Sequence, residues 1–136
     1  MNGNTYQGAA YAFTKQPVTV STRLSAAKIT AGGHVHDTAV LSGATATAGG
    51  TVSYRYYASY GACRADVATF TRGTAPSRGI SAGTVPVTHA AVPRSHNIRF
   101  GRARTWYWAA FYSGDTGNNR AASNCGEKLT VTTPRG

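Results

Sequence analysis

The chain has 136 residues, enough for one domain with a real core, and 41% of them are hydrophobic, which excludes wholesale disorder. Fourteen lysines and arginines stand against four acidic residues, a net charge of +10, so a partner recognised by charge is acidic and carboxylate catalysis has few groups to use. Sixteen glycines, abundant Thr and Ala and little Leu or Glu argue against a helical protein, and no run approaches the ~20 apolar residues of a membrane span.

Residues 1–16 read as a separate extended segment, with Pro17 marking the break. From there short alternating runs punctuated by glycine predict an all-β antiparallel sandwich over residues 17–133, with 134–136 as a tail. P-V-T-V-S-T-R-L points Val18, Val20 and Leu24 inward. H-V-H-D-T-A-V-L follows, then a small-residue loop. T-V-S-Y-R-Y-Y sends Val52, Tyr54 and Tyr56 to one face and Ser53, Arg55 and Tyr57 to the other. Residues 61–84 carry the weakest pattern: V-A-T-F-T reads as a short edge strand, and no helical periodicity longer than a turn is predicted anywhere. T-V-P-V-T pairs Val85 with Val87 and suits a sheet edge because of Pro86. H-N-I-R-F, R-T-W-Y-W-A-A-F-Y and K-L-T-V-T-T complete about seven or eight strands.

Chemistry-bearing motifs are sparse. Asp37, Asp66, Asp115 and Glu127 are spread through the chain, so no acid/base pair is predicted, and Asp115 reads as a turn residue bonding nearby backbone amides. S-A-A-K, Ser25 to Lys28, matches a serine acyl-enzyme pattern but has no partner motif and no helix to carry it. His34 and His36 place both rings on one strand face as surface histidines, short of a metal set. No enzyme, cofactor or metal site is therefore expected. The arginines are scattered singly, the densest group being R-F-G-R-A-R with Arg99, Arg102 and Arg104, and a solvated basic surface accounts for them. Cys63 and Cys125 fit either one disulfide or two free thiols.

D-T-A-V-L-S-G-A-T-A-T-A-G-G-T-V-S-Y-R-Y-Y resembles the first half of a bacterial immunoglobulin-like domain. T-W-Y-W-A-A-F-Y-S-G-D-T-G-N-N is similar to its second half, in which an aromatic strand ends in a turn formed here by Ser113, Gly114 and Asp115. The cysteines sit where one branch of that family carries its own, which implies a Cys63–Cys125 bond. The resemblance covers roughly residues 18–133 and implies a secreted or cell-surface protein. Its module would be a spacer, stalk or adhesive unit among neighbouring domains. Residues 3–14 resemble the closing strand of an FG-GAP-type propeller repeat. The N-terminus lacks a signal peptide's basic start and apolar run, so, read literally, the chain is soluble and not exported; as a truncated reading frame of a longer surface protein it would have lost that signal. The pairing carries a geometric demand. In immunoglobulin topology the third strand ends at the opposite pole from the start of the last, so one loop must fold back along the sheet to bring the two Cα atoms within about 7 Å.

Alternation sorts the aromatic strand. Trp106, Trp108 and Tyr112, with Tyr54 and Tyr56, are assigned to the core, while Tyr107 and Phe111 face outward with Tyr57 beside Arg55. Those outward rings are either covered by the N-terminal segment or a neighbouring domain, or form a binding patch. The expected function is a non-catalytic structural or adhesion module. The alternative is a module binding cell-surface acidic glycans or other polyanions through outward aromatics and arginines, with nucleic-acid binding a weaker third.

Overall fold

Alternating Val, Thr and Tyr send side chains to opposite faces of a strand, and this periodicity builds one six-stranded and two two-stranded sheets around a shared core in the computed structural model, which describes residues 15–134. The main sheet follows the order β2 (Lys28–Thr30), β10 (Glu127–Thr132), β8 (Arg104–Tyr112), β5 (Thr51–Tyr57) and β6 (Ile80–Pro86), with β9 (Ala121–Ala122) also on β8. The opposing layer consists of β1 (Thr19–Leu24) paired with β4 (Asp37–Ser42) and β3 (His34–Val35) paired with β7 (Ile98–Arg99). Pro86 lies at the end of β6, which is an edge strand as its missing N–H requires. The expected all-β sandwich is therefore present. The strand count is higher than expected because short pieces of two or three residues flank the long strands, and one pairing, β10 with β2, is parallel.

Between the layers lies a core in which Val20, Leu24, Val35 and Ala39 meet Val52, Tyr54, Trp108, Tyr112 and Leu129. Tyr54 ties the two layers together: its hydroxyl donates to Pro93 O at 2.7 Å and accepts from Ala39 N at 3.0 Å. Tyr56 stacks on Trp108 with centroids 5.1 Å apart, and Phe100 meets Tyr56 edge-on at 5.2 Å. Trp106 is only half-buried and packs against this core from one end.

Residues 60–71 depart from expectation. V-A-T-F-T is not an edge strand but the last part of a helix, α1 (Tyr60–Thr71). Ser59 caps it by accepting from Ala62 N, and Cys63, Asp66 and Phe70 form its buried stripe at i, i+3 and i+7. The helix covers the second face of the main sheet, where Phe70 meets Phe111 edge-on at 5.1 Å and Tyr60 meets Tyr107 at 5.7 Å. The centre of the main sheet, around Tyr57, Ala109 and Phe111, is thus buried on both faces, and β8 reads as a nearly continuous apolar run for that reason. The propeller-like residues 3–14 lie outside the described residues; Gln16, two residues beyond them, is tied to the 117–119 loop by Gln16 N to Gly117 O and Asn119 N to Gln16 O, both 2.9 Å.

Asp37 is fully buried, with Oδ1 accepting from Thr38 N at 3.0 Å and Oδ2 lacking a partner. Burial, with the Glu127 carboxylate second, raises its pKa to about 7. The folded chain therefore holds this proton more tightly than the unfolded chain does. Asp37's contribution is fully present below the ordinary value near 3.8 and is lost as pH climbs from there through about 7. Asp37→Asn removes the ionisation and should raise stability at pH 8 by about 1–2 kcal/mol, with little gain at pH 4. Urea titrations of both proteins at the two pH values check it, and an equal effect at both would refute the assignment.

Candidate functional site

The surface patch expected from Tyr57, Tyr107, Phe111 and Arg55 does not exist. Tyr57 is 0% exposed and Phe111 2%, because α1 lies over them, and Tyr107 is half-buried beneath Tyr60. What covers the rings is the segment that follows β5 directly. Arg55 is turned to a structural use, donating from Nε to Arg78 O at 2.8 Å and from Nη2 to Gly79 O at 3.2 Å. Asp66, also 0% exposed, completes this brace. It accepts from Tyr57 Oη at 2.7 Å and Arg78 N at 2.9 Å on Oδ2, and from Ser77 N at 3.3 Å on Oδ1, with the Arg78 guanidinium 3.6 Å away.

Cys63 and Cys125 are joined, with Cα atoms 6.1 Å apart. The loop demanded by the sandwich topology is α1 itself, which runs from the Tyr57 level of the sheet back toward Phe111. The last strand meets it halfway because it is split. β9 pairs beside Phe111 and Tyr112, Ser123 bonds Ala110, and β10 resumes opposite Trp108. Cys125 sits in that interruption with φ of 61°, at mid-sheet rather than at the far pole.

A different surface gathers the remaining chemistry. Arg104 and Trp106 are two apart on β8 and so share a face, and the guanidinium lies 5.0 Å over the indole. Beside them is a hollow of about 420 Å³, whose walls include Tyr56, Ala58, Ser59, Ala62, Gly79 and Ile80. A second hollow of about 170 Å³ shares Tyr56, Ile80, Arg104 and Trp106 and adds Arg99, Phe100, Gly101 and Arg102. Gly101 makes room for the charge: a Cβ there would lie 3.0 Å from Arg99 Nη1. Gly79, at φ +75°, could carry no Cβ without meeting the Tyr57 ring at 2.6 Å. The two hollows form one cleft, with aromatic and aliphatic walls and three exposed arginines at one end. Among the described residues the one carboxylate–arginine contact is Arg78–Asp66, so Arg99, Arg102 and Arg104 meet no carboxylate within 4.0 Å. Larger hollows flank β1, but the one of about 540 Å³ along the outer face of β1 and β4 carries a single arginine, Arg23.

No family model, curated protein or solved structure matches the chain. The Ser113–Gly114–Asp115 turn lies away from the cleft and closes the other end of the sheet. Ser113 Oγ accepts from Thr51 N at 2.9 Å, and Asp115 accepts from Gly49 N at 2.7 Å and Gly117 N at 2.9 Å. The Gly49 amide, then the Asn118 side chain, hold the Asp115 carboxyl below its ordinary range, consistent with a charged turn anchor. His34 is exposed and His36 half-buried, and among the described residues no group of three or more His, Cys, Asp or Glu could hold a metal ion. Sequence reasoning singled out Arg99, Arg102 and Arg104 as the densest basic group but did not join them to Trp106. The signal was present in the R-x-W spacing of Arg104 and Trp106.

Proposed function

We propose that this chain is a non-catalytic module of an extracellular bacterial protein: an immunoglobulin-like structural body that adheres to acidic, polyanionic surfaces through the arginine–aromatic cleft. The observation that carries the reading is the convergence of Arg99, Arg102 and Arg104 on one aromatic-walled hollow with no carboxylate among them. Like charges gathered without counter-charge repel one another, and an anion between them relieves that repulsion. The buried disulfide supports a place in an oxidising compartment, outside the cytosol. No helix among the described residues is long and apolar enough to cross a membrane. The resemblance to surface-protein modules supports the adhesive role.

Retention on immobilised heparin tests the reading. The wild-type chain should bind at low salt and elute as salt rises, because anion contacts release condensed counterions. Arg99→Gln/Arg102→Gln/Arg104→Gln should lower the slope of log affinity against log salt by about 2 units. Arg23→Gln/Arg64→Gln/Arg94→Gln, with the same net charge but all three positions outside the cleft, should stay near wild type. Equal losses in the two triple variants would reduce the effect to net charge alone.

A further inference from the structure

Resting on that reading, we infer that the cleft is a two-part seat for an acidic saccharide. A single sulfate or carboxylate enters the arginine-lined hollow, and the sugar ring bearing it lies in the adjoining apolar hollow. The small hollow, about 170 Å³, has room for a charged substituent, and three arginines line it. Guanidinium forks match the oxygens of such groups bidentately. The neighbouring hollow of about 420 Å³ has room for a ring and is walled by Tyr56, Trp106, Ile80, Ala58 and Ala62. Arg104 and Trp106 are common to both, so a ligand occupying both hollows has its charge and its ring adjacent.

The same geometry disfavours a nucleic acid. Base stacking needs a free aromatic face, and one face of Trp106 already carries the Arg104 guanidinium at 5.0 Å. A phosphate backbone is tracked by charges spread along a groove, whereas these three line a single small hollow. A pyranose offers what the larger hollow asks for: C–H faces toward Ile80, which is 48% exposed, and hydroxyls along its edge. Ser59 Oγ accepts the Ala62 amide at 3.1 Å, which leaves its own O–H to donate to such a hydroxyl.

The test titrates the whole chain, by calorimetry and tryptophan fluorescence, with a sulfated heparin disaccharide, its desulfated form, inorganic sulfate, polyphosphate and single-stranded DNA. The sulfated disaccharide should bind at least 10-fold more tightly than inorganic sulfate or the desulfated sugar. Ala58 is exposed, so Ala58→Trp fills the ring hollow and leaves Arg99 and Arg102, which line only the small hollow, in place. It should weaken the disaccharide at least 10-fold and leave polyphosphate unchanged, while Arg104→Gln should weaken both. Far-UV circular dichroism establishes that both variants are folded. Polyphosphate or DNA binding more tightly than the disaccharide, or Ala58→Trp leaving the disaccharide unaffected, overturns the proposal. A chain that binds heparin but does not select the disaccharide loses this inference alone; one not retained on heparin at low salt loses the adhesive reading as well.

Discussion

Replacing both Cys63 and Cys125 by Ser should lower stability by about 4 kcal/mol, because the bond spans 62 residues and the unfolded chain regains the loop entropy it removes. For a domain of this size that corresponds to a fall in melting temperature of roughly 15 °C. The loss should be local in character. Cys63 ends the first turn of α1, so without the bond the helix is held to the sheet by Phe70 against Phe111 and by the Asp66 brace. Opening of α1 uncovers Tyr57, Phe111 and Tyr107, and the double variant should bind a hydrophobic dye below its melting temperature where the wild type does not. The wild type should also resist reduction while folded, since Cys63 is 0% exposed and Cys125 2%. Calorimetry with and without reductant measures the first effect. A shift of under about 3 °C for the double variant would sink the view that this bond staples the helix to the sheet.

Much of the sandwich was legible because strand alternation is a local signal. In β5 and β8 every residue assigned to the core face, from Val52 to Tyr112, lies on that face, and the residues assigned outward lie on the other. The alternation could not say that both faces are covered. That depended on α1, whose sequence hides it: Gly61, Val67, Thr69 and Thr71 are poor helix formers, and the polar Asp66 interrupts the apolar stripe. Such a helix persists through tertiary contacts, not propensity. Its cues were Ser59 as a cap and the spacing of Cys63, Val67 and Phe70, and both are weak alone. The cleft was hidden for a related reason. Arg55 appears beside Tyr57 in sequence, but its charge is consumed by carbonyls of the loop after α1, whereas Arg99 on β7 and Arg104 on β8 belong to different sheets and line one hollow with Tyr56 and Ile80 only in the folded chain.

Asp66 is where helix, loop and cleft depend on one side chain. Its carboxylate is surrounded by the Tyr57 hydroxyl, the Ser77 and Arg78 amides and the Arg78 guanidinium. Burial, with the Asp66 contact second, pushes the Tyr57 phenol far above its ordinary range, so it remains an O–H donor at any working pH. Asp66→Ala leaves a buried hydroxyl and two amides without their acceptor and should cost about 3–5 kcal/mol. Asp66→Asn keeps one acceptor but turns an N–H₂ toward donors, and about 1–3 kcal/mol is expected. Tyr57→Phe removes one donor of several and should cost about 1 kcal/mol. Thermal unfolding of the three variants should reproduce that order. The same substitutions should weaken disaccharide binding, because Asp66 and Arg55 together fix the chain through Arg78 and Gly79 that delivers Ile80 to the cleft wall. Asp66→Ala that unfolds with wild-type stability, or that folds and binds unchanged, would show that the brace holds neither the helix nor the cleft.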